Sequence, residues 1–234
     1  MGRVGFNCQD LNRVADYIEK NNLTNVIGVY THLSVADETG EDNVKYTKNQ
    51  IRKFNTFKKI KNVECRHVLN SGGILGYSQL DEGNFVRAGI IMYGICGEKW
   101  VEGFKPVITF KSKVLFIKTL EEDSDISYGR AARLSKGEMV ATISAGYADG
   151  FKRGGLNKIT VKIQGIECTV VGKICMDMFM VRIPDELRGK IEIGEEVILY
   201  GEDLVEKAKL IGTSVYEVIT GINERVKRVY LEEK

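Results

Sequence analysis

Two rhythms of hydrophobic and polar positions divide the chain. Residues 10–21 and 48–60 carry apolar positions at helical spacing, and each leads into a short apolar run rich in β-branched side chains, residues 26–33 and 63–69. A third, shorter helix over residues 74–80 leads to the run 85–93. Strand, helix and strand in this order predict parallel strands joined by crossover helices. Beyond Trp100 helical spacing nearly vanishes, and residues 108–120, 138–146, 158–171, 178–183 and 196–200 read as strands. Gln164-Gly165 splits the third of these into a hairpin, because glycine accepts the positive φ of a tight turn. A short helix over residues 213–220 and a last strand over 225–231 complete the pattern. The division predicts a parallel α/β unit over residues 1–100 and a mostly antiparallel β unit over 101–234.

The first unit is incomplete by this count. Parallel sheets are stable only when covered on both faces, and a closed eight-stranded α/β barrel takes roughly 250 residues. Only a few strand-helix repeats precede Trp100. The expectation is that an upstream segment is missing, that Met1 is an internal methionine, and that an opened barrel with bare sheet edges is poorly soluble.

Composition narrows the function classes. Hydrophobic residues at 43% and charged residues at 28% describe an ordinary globular protein of 234 residues. Net charge is +2, and basic residues such as Arg52, Lys53, Lys58, Lys59 and Lys61 read as solvated helix faces, so no nucleic-acid partner is expected. Cys8, Cys65, Cys96, Cys168 and Cys175 are widely spaced with no Cys-x-x-Cys pair, which predicts reduced thiols rather than disulfides or zinc. His32 and His67 lack the helical pairing with glutamate that zinc hydrolases need, so no metal is expected. No apolar run approaches the roughly 20 residues that cross a bilayer, and the first residues do not read as a secretion signal. A cytoplasmic location is expected.

Candidate chemistry clusters at strand ends. Asn70-Ser71-Gly72-Gly73 follows one apolar run and precedes a helix, where backbone N–H groups favour a phosphate; Ser71 acting only as a helix cap is the alternative. Arg87-Ala88-Gly89-Ile90 sets an arginine beside a glycine inside an apolar run, and a buried arginine must pair with an anion, structural or bound. His32 falls at the carboxyl end of a predicted parallel strand, where barrels of this kind build active sites. Tyr128 and Tyr147 stand beside glycines in the second unit, as packing aromatics at turns or as functional groups. Residues alone lead to a phosphate-binding α/β enzyme with an appended β domain.

Several motifs, in order, resemble those of the alanine racemase family: Met1-Gly-Arg-Val-Gly-Phe6, Tyr30-Thr-His-Leu33, Ala36-Asp37, Asn70-Ser71, Val86-Arg-Ala-Gly-Ile-Ile-Met-Tyr-Gly94, Ser127-Tyr-Gly129, Gly146-Tyr-Ala-Asp-Gly150, Val171-Gly172, Cys175-Met-Asp177, Tyr216-Glu-Val218 and Arg225-Val226. The resemblance spans Met1 to Tyr230. It implies the C-terminal part of a TIM-type (β/α)8 barrel followed by a mostly antiparallel β domain, the cofactor pyridoxal 5'-phosphate, and a homodimer with a shared active site. The implied activity is interconversion of L- and D-alanine by two-base proton exchange at the α-carbon, supplying D-alanine for peptidoglycan.

By that resemblance Tyr128 is the catalytic base on one face of the α-carbon, acting in the opposite subunit. A phenol has an unperturbed pKa near 10, so such a base needs nearby positive groups. The family's second base is the lysine that anchors the cofactor, and no matching segment lies in these residues, which are therefore expected to be inactive alone. Ser71, Gly89, Ile90 and Tyr216 resemble the residues holding the cofactor phosphate. Arg87 resembles the arginine facing the pyridine nitrogen, where a permanently charged guanidinium leaves the ring largely unprotonated and disfavours decarboxylation and transamination. His32 resembles the histidine linked to the catalytic tyrosine, and Arg3 the arginine near the cofactor hydroxyl and substrate carboxylate. Met176, through its backbone, and Tyr147 resemble substrate-binding positions, and Tyr147 with Tyr216 would crowd the pocket in favour of alanine over serine. The chain departs from the family at Lys227, where proline is usual, and at Ala88. A non-catalytic binding or assembly module, and a racemase of another small amino acid such as serine, are the alternatives.

Overall fold

The computed structural model describes residues 1–57, 60–61 and 63–231. Lys58 and Lys59, at the end of the second expected helix, lie outside the described residues. The chain forms two compact units, Met1–Lys105 and Pro106–Lys234.

In the first unit α1 (Leu11–Lys20), β1 (Gly28–Tyr30), α2 (Glu41–Asn55), β2 (Cys65–His67) and α3 (Ser71–Tyr77) follow one another. β1 and β2 pair in parallel, with Tyr30 opposite His67. α2 starts at Glu41 rather than near Lys48, and the carboxylates of Glu41 and Asp42 in its first turn complement the helix dipole. It buries Ile51 and Phe54 against Leu33, Val68, Leu69 and Tyr77. The run 85–93 does not form a strand. Asn84 and Phe85 both donate their N–H to the Arg66 carbonyl, at 3.0 and 3.2 Å, and Arg87 N–H reaches the Leu69 carbonyl at 2.9 Å. The chain then turns at Gly89 into the 3₁₀ turn Ile90–Tyr93. Sharing one carbonyl between two donors breaks the alternation that a sheet ladder requires. A two-residue hairpin, β3 (Ile95–Cys96) with β4 (Lys99–Trp100), follows.

The second unit is built on a closed antiparallel barrel. β5 (Phe110–Thr119), β8 (Met139–Ile143), β9 (Thr160–Ile163), β10 (Ile166–Val171), β11 (Phe179–Ile183) and β12 (Glu196–Tyr200) close in the order β10-β11-β8-β5-β12-β9. Closure removes the bare edges that an open sheet exposes. The hairpin β6 (Ser124–Ile126) with β7 (Ala132–Leu134) pairs separately. Gln164 and Gly165 join β9 to β10 with φ of 50° and 79°, the turn the sequence predicts. Phe151 packs on Phe179 and Tyr200 at centroid distances of 4.6 and 5.3 Å. Burial pushes the Tyr200 phenol up to about 12, and its oxygen accepts the Lys152 N–H at 3.1 Å.

Two helices, α4 (Leu204–Ile211) and α5 (Val215–Thr220), follow the last barrel strand. α4 was not expected, because Lys207 interrupts its apolar face. That lysine is only 2% exposed; it donates to the Leu199 carbonyl at 2.7 Å and pairs with Asp203 at 2.8 Å. The expected last strand over residues 225–231 does not form. Val226 N–H turns back to the Asn223 carbonyl at 3.1 Å, while Val229, Tyr230 and Leu231 stay exposed.

Candidate active site

At the carboxyl ends of β1 and β2, Arg87 gathers the first unit's polar groups. One terminal nitrogen donates to the His67 carbonyl at 3.1 Å and also reaches His67 Nδ1. The other donates to the carbonyls of Thr31 at 2.7 Å and Val68 at 3.3 Å, and lies 3.3 Å from His32 Nδ1. An arginine only donates, so His67 Nδ1 accepts and that ring is neutral with its proton on Nε2; His32 Nδ1 lies against the same cation, which disfavours a proton there. Burial, and then the Arg87 charge, hold both histidines below the usual imidazole range; Arg3 adds to the effect at His32. The Tyr30 ring stacks on His67 at 5.3 Å and 6°, and the Arg87 guanidinium faces it at 5.3 Å. Among the described residues only the Arg87 Nε–H lacks an acceptor in this guanidinium.

Next to this cluster Ser71 collects two donors. Its hydroxyl oxygen accepts the N–H of Gly89 and of Ile91, each at 3.2 Å. The helix cap is Asn70, whose Oδ1 accepts Gly73 N–H at 3.1 Å, so the reading of Ser71 as a mere cap is corrected. Ser71 is 6% exposed, and no described residue accepts its hydroxyl proton. Gly72 lies against the backbone of residues 36–37: a Cβ there would sit 2.7 Å from Ala36 C and Asp37 N. The Ser71 hydroxyl and the N–H groups of Ser71 and Gly72, in the first helical turn where no intrahelical acceptor exists, suit an anion.

In the second unit three loops meet. Tyr128 follows β6 in a 3₁₀ turn and is 71% exposed. Ser127 donates its hydroxyl to the Lys173 carbonyl at 2.6 Å, and the Lys173 Nζ lies 3.1 Å from where a Cβ on Gly129 would be, a positive charge beside the Tyr128 turn. Tyr147 N–H donates to the Cys175 carbonyl at 3.1 Å, and Ala148 N–H to the Met176 carbonyl at 3.0 Å, so Tyr147 and Met176 are side by side. Asp149 accepts Gly146 N–H at 2.8 Å and pairs with Arg225 at 2.8 Å; Arg225 also holds Asp177 at 2.8 Å. The Arg153 guanidinium faces the Tyr147 ring at 5.6 Å. Tyr216 lies on α5, 46% exposed.

Of the predicted residues, Arg3, His32, Ser71, Arg87, Gly89 and Ile90 occupy the first unit's pole, and Tyr128, Tyr147 and Met176 share the second unit's loop cluster. Sequence reading missed His67, which lies opposite Tyr30 in the parallel register. The signal was strand parity: Arg66 faces the Phe54 and Phe57 rings, so its neighbour His67 must face the other way. Asp149, Asp177 and Arg225 stood inside quoted motifs with no role given to them.

Residues 1–96 match the family model described as alanine racemase, N-terminal domain, and residues 107–230 match alanine racemase, C-terminal domain. The chain belongs to the alanine racemase family. It is 39% identical over 229 residues to the alanine racemase of Fusobacterium nucleatum, covering 98% of this chain and 64% of that protein. To the alanine racemase of Clostridium novyi it is 40% identical over 247 residues, with 99% and 63% covered. The solved alanine racemase from E. faecalis has a TM-score of 0.86 at 28% identity, over 99% of this chain and 63% of that one. The Bacillus anthracis alanine racemase with bound L-Ala-P has a TM-score of 0.81 at 30% identity, over 99% and 62%. The fold is therefore the C-terminal part of the family's TIM-type barrel followed by its β domain, and the chain spans a little under two thirds of the length of these relatives. Among the described residues no helix is long and apolar enough to cross a membrane.

Proposed function

We propose that this chain supplies the tyrosine side and most of the cofactor cradle of a pyridoxal 5'-phosphate-dependent alanine racemase, working as a homodimer in the cytoplasm and making D-alanine for the cell wall. Its membership of the family supports the reaction class, and one observation carries the cofactor assignment. Among the described residues the Arg87 guanidinium has every N–H group engaged except Nε–H, and the Ser71 hydroxyl keeps an unspent proton. That donor set fits a ring nitrogen and a phosphate.

When bound, the cofactor supplies an electron sink for the α-carbon's bonding pair. Ser71, through its hydroxyl proton, and the backbone N–H of Ile90 hold the phosphate, while the Gly89 N–H, spent on the Ser71 oxygen, fixes that hydroxyl in place. Arg87 donates Nε–H toward the pyridine nitrogen without yielding a full proton, which keeps the sink weak and favours proton exchange over decarboxylation or transamination. Tyr128 takes or returns the α-proton on one face, in the partner subunit's site, and the family's cofactor-anchoring lysine serves the other. His32 offers a donor to the tyrosine that acts at its own site and so steadies that base's charged form. Arg3 holds the substrate carboxylate. The Met176 backbone and the Tyr147 and Tyr216 rings confine the side chain to the size of a methyl, which supports alanine over serine.

A chimera tests this: the N-terminal third of the Fusobacterium nucleatum relative joined ahead of Met1. It should racemise alanine, and Tyr128→Phe should suppress racemisation by about 10²-fold or more. A dimeric, cofactor-loaded chimera that leaves alanine unchanged, or prefers serine, would sink the proposal.

A further inference from the structure

We propose that Ser127 is a positioning residue for Tyr128, clamping a backbone conformation that only glycine adopts freely and so aiming the phenol. The inference rests on the reading of Tyr128 as the proton-transfer group. Among the described residues no hydrogen bond, ion pair or ring contact reaches the Tyr128 side chain, which is 71% exposed. Its direction is therefore set by its backbone, and that backbone is unusual. Ser127 has φ 67° and ψ 179°, followed by positive φ at Gly129 (69°) and Arg130 (53°). An L side chain in the Ser127 region is disfavoured on the order of 10- to 100-fold against relaxed backbone. Something must hold it there.

The hold is a built seat. The Ser127 hydroxyl donates to the Lys173 carbonyl at 2.6 Å, a short bond to a backbone acceptor. Opposite, Gly172 leaves the space the side chain needs: a Cβ there would meet Ser127 Cβ at 2.6 Å and the Ile126 carbonyl oxygen at 2.9 Å. Gly172 is itself fixed, donating its N–H to Asn157 Oδ1 at 3.1 Å. Arg130 N–H closes the turn on the Ser127 carbonyl at 3.2 Å, and Asp125 pairs with both Arg130 and Arg133 across the flanking hairpin. The loop that receives the hydroxyl continues into Cys175 and Met176. Ser127 thus ties the aim of Tyr128 to the backbone proposed to bind substrate.

This clamp makes an unusual prediction about variants. Ser127→Ala keeps the strained Cβ and loses the bond, so the backbone should relax and the ring should swing. Ser127→Gly loses the same bond but tolerates the same φ and ψ, so it should hold the turn better than alanine, the reverse of the usual ranking. The measurement is 19F NMR of the full 234-residue chain labelled with 3-fluorotyrosine, the Tyr128 line being identified by Tyr128→Phe, together with hydrogen exchange at the Arg130 amide. Wild type should give one narrow line, glycine a broadened line near the same position, and alanine a line moved toward the unfolded value. Exchange at Arg130 should be about tenfold faster in alanine than in glycine. Ser127→Cys, which keeps the shape with a weaker donor, should show a smaller shift in the alanine direction and serves if alanine does not fold. A wild-type-like Tyr128 line in alanine, or equal or greater damage in glycine, would overturn the proposal. None of these readouts needs turnover, so a Tyr128 that is aimed but moves no proton would fail in the chimera and still pass here.

Discussion

Gly146 is where the second unit's loops at residues 145–150 and 173–177 press together, and replacing it by alanine isolates one steric contact. Its backbone is extended, with φ −149° and ψ −164°, so an alanine there meets no backbone strain. The added Cβ would fall 2.2 Å from the Met176 carbonyl oxygen, 2.3 Å from its carbon and 2.4 Å from the Cys175 carbonyl oxygen. All three are backbone atoms, so no side chain can swing away. The loops must part, which strains the hydrogen bonds from Tyr147 N–H to Cys175 and from Ala148 N–H to Met176, at 3.1 and 3.0 Å. Overpacking costs about 1–3 kcal/mol, and two weakened bonds add about 1 kcal/mol each. A loss of about 4 kcal/mol lowers Tm by about 10 °C in a chain of this size. Thermal unfolding by circular dichroism and calorimetry of the full chain reads it, with the displaced transition expected in the β unit. Gly76→Ala is the control: its Cβ meets nothing within 4 Å and its site is helical, so it should be neutral or gain up to about 1 kcal/mol. A Gly146→Ala protein melting within about 2 °C of wild type would show that the two loops are not pressed together there.

Two further outcomes follow from the charged groups. Arg225→Gln should free Asp149 and Asp177, and hydrogen exchange at the Tyr147 and Ala148 amides should rise several-fold while amides of β9 and β10 stay protected; unchanged exchange at both would remove Arg225 from the loop's support. For the first unit the sign follows from the histidines. His32 and His67 are held below their ordinary value by burial and by Arg87, so the unfolded chain binds protons more readily, and their contribution is full above about pH 6.5 and lost as pH falls below it. Denaturant midpoints of the α/β unit should fall between pH 8 and pH 5, with a shallower slope in His67→Gln. Stability that rises on acidification in wild type would contradict the neutral, Arg87-bound imidazoles.

Much of the architecture was legible in local pattern. The hairpin at Gln164-Gly165, the parallel pairing of the first two short strands and the antiparallel character of the second unit all follow from spacing and turn chemistry, which act between near neighbours. The strand expected over residues 85–93 was not, because its apolar run is consumed by capping β2 and by turning at Gly89, and a run of apolar residues looks the same in either use. α4 was hidden because Lys207 reads as a surface residue until Leu199 and Asp203 are seen to satisfy it. The last strand over residues 225–231 failed for the opposite reason: its alternation is real, but a strand needs a partner.

The candidate site divides the same way. The ordered motifs that hold Ser71, Arg87 and Tyr128 resemble those of a family, and the roles proposed for these residues come with that resemblance. Only the tertiary structure brought Gly89 and Ile91 onto the Ser71 hydroxyl, set both His67 and Arg87 against Tyr30, and seated Ser127 against Gly172. Each of those contacts joins residues distant along the chain, where nothing in the local sequence records the distance that folding closes.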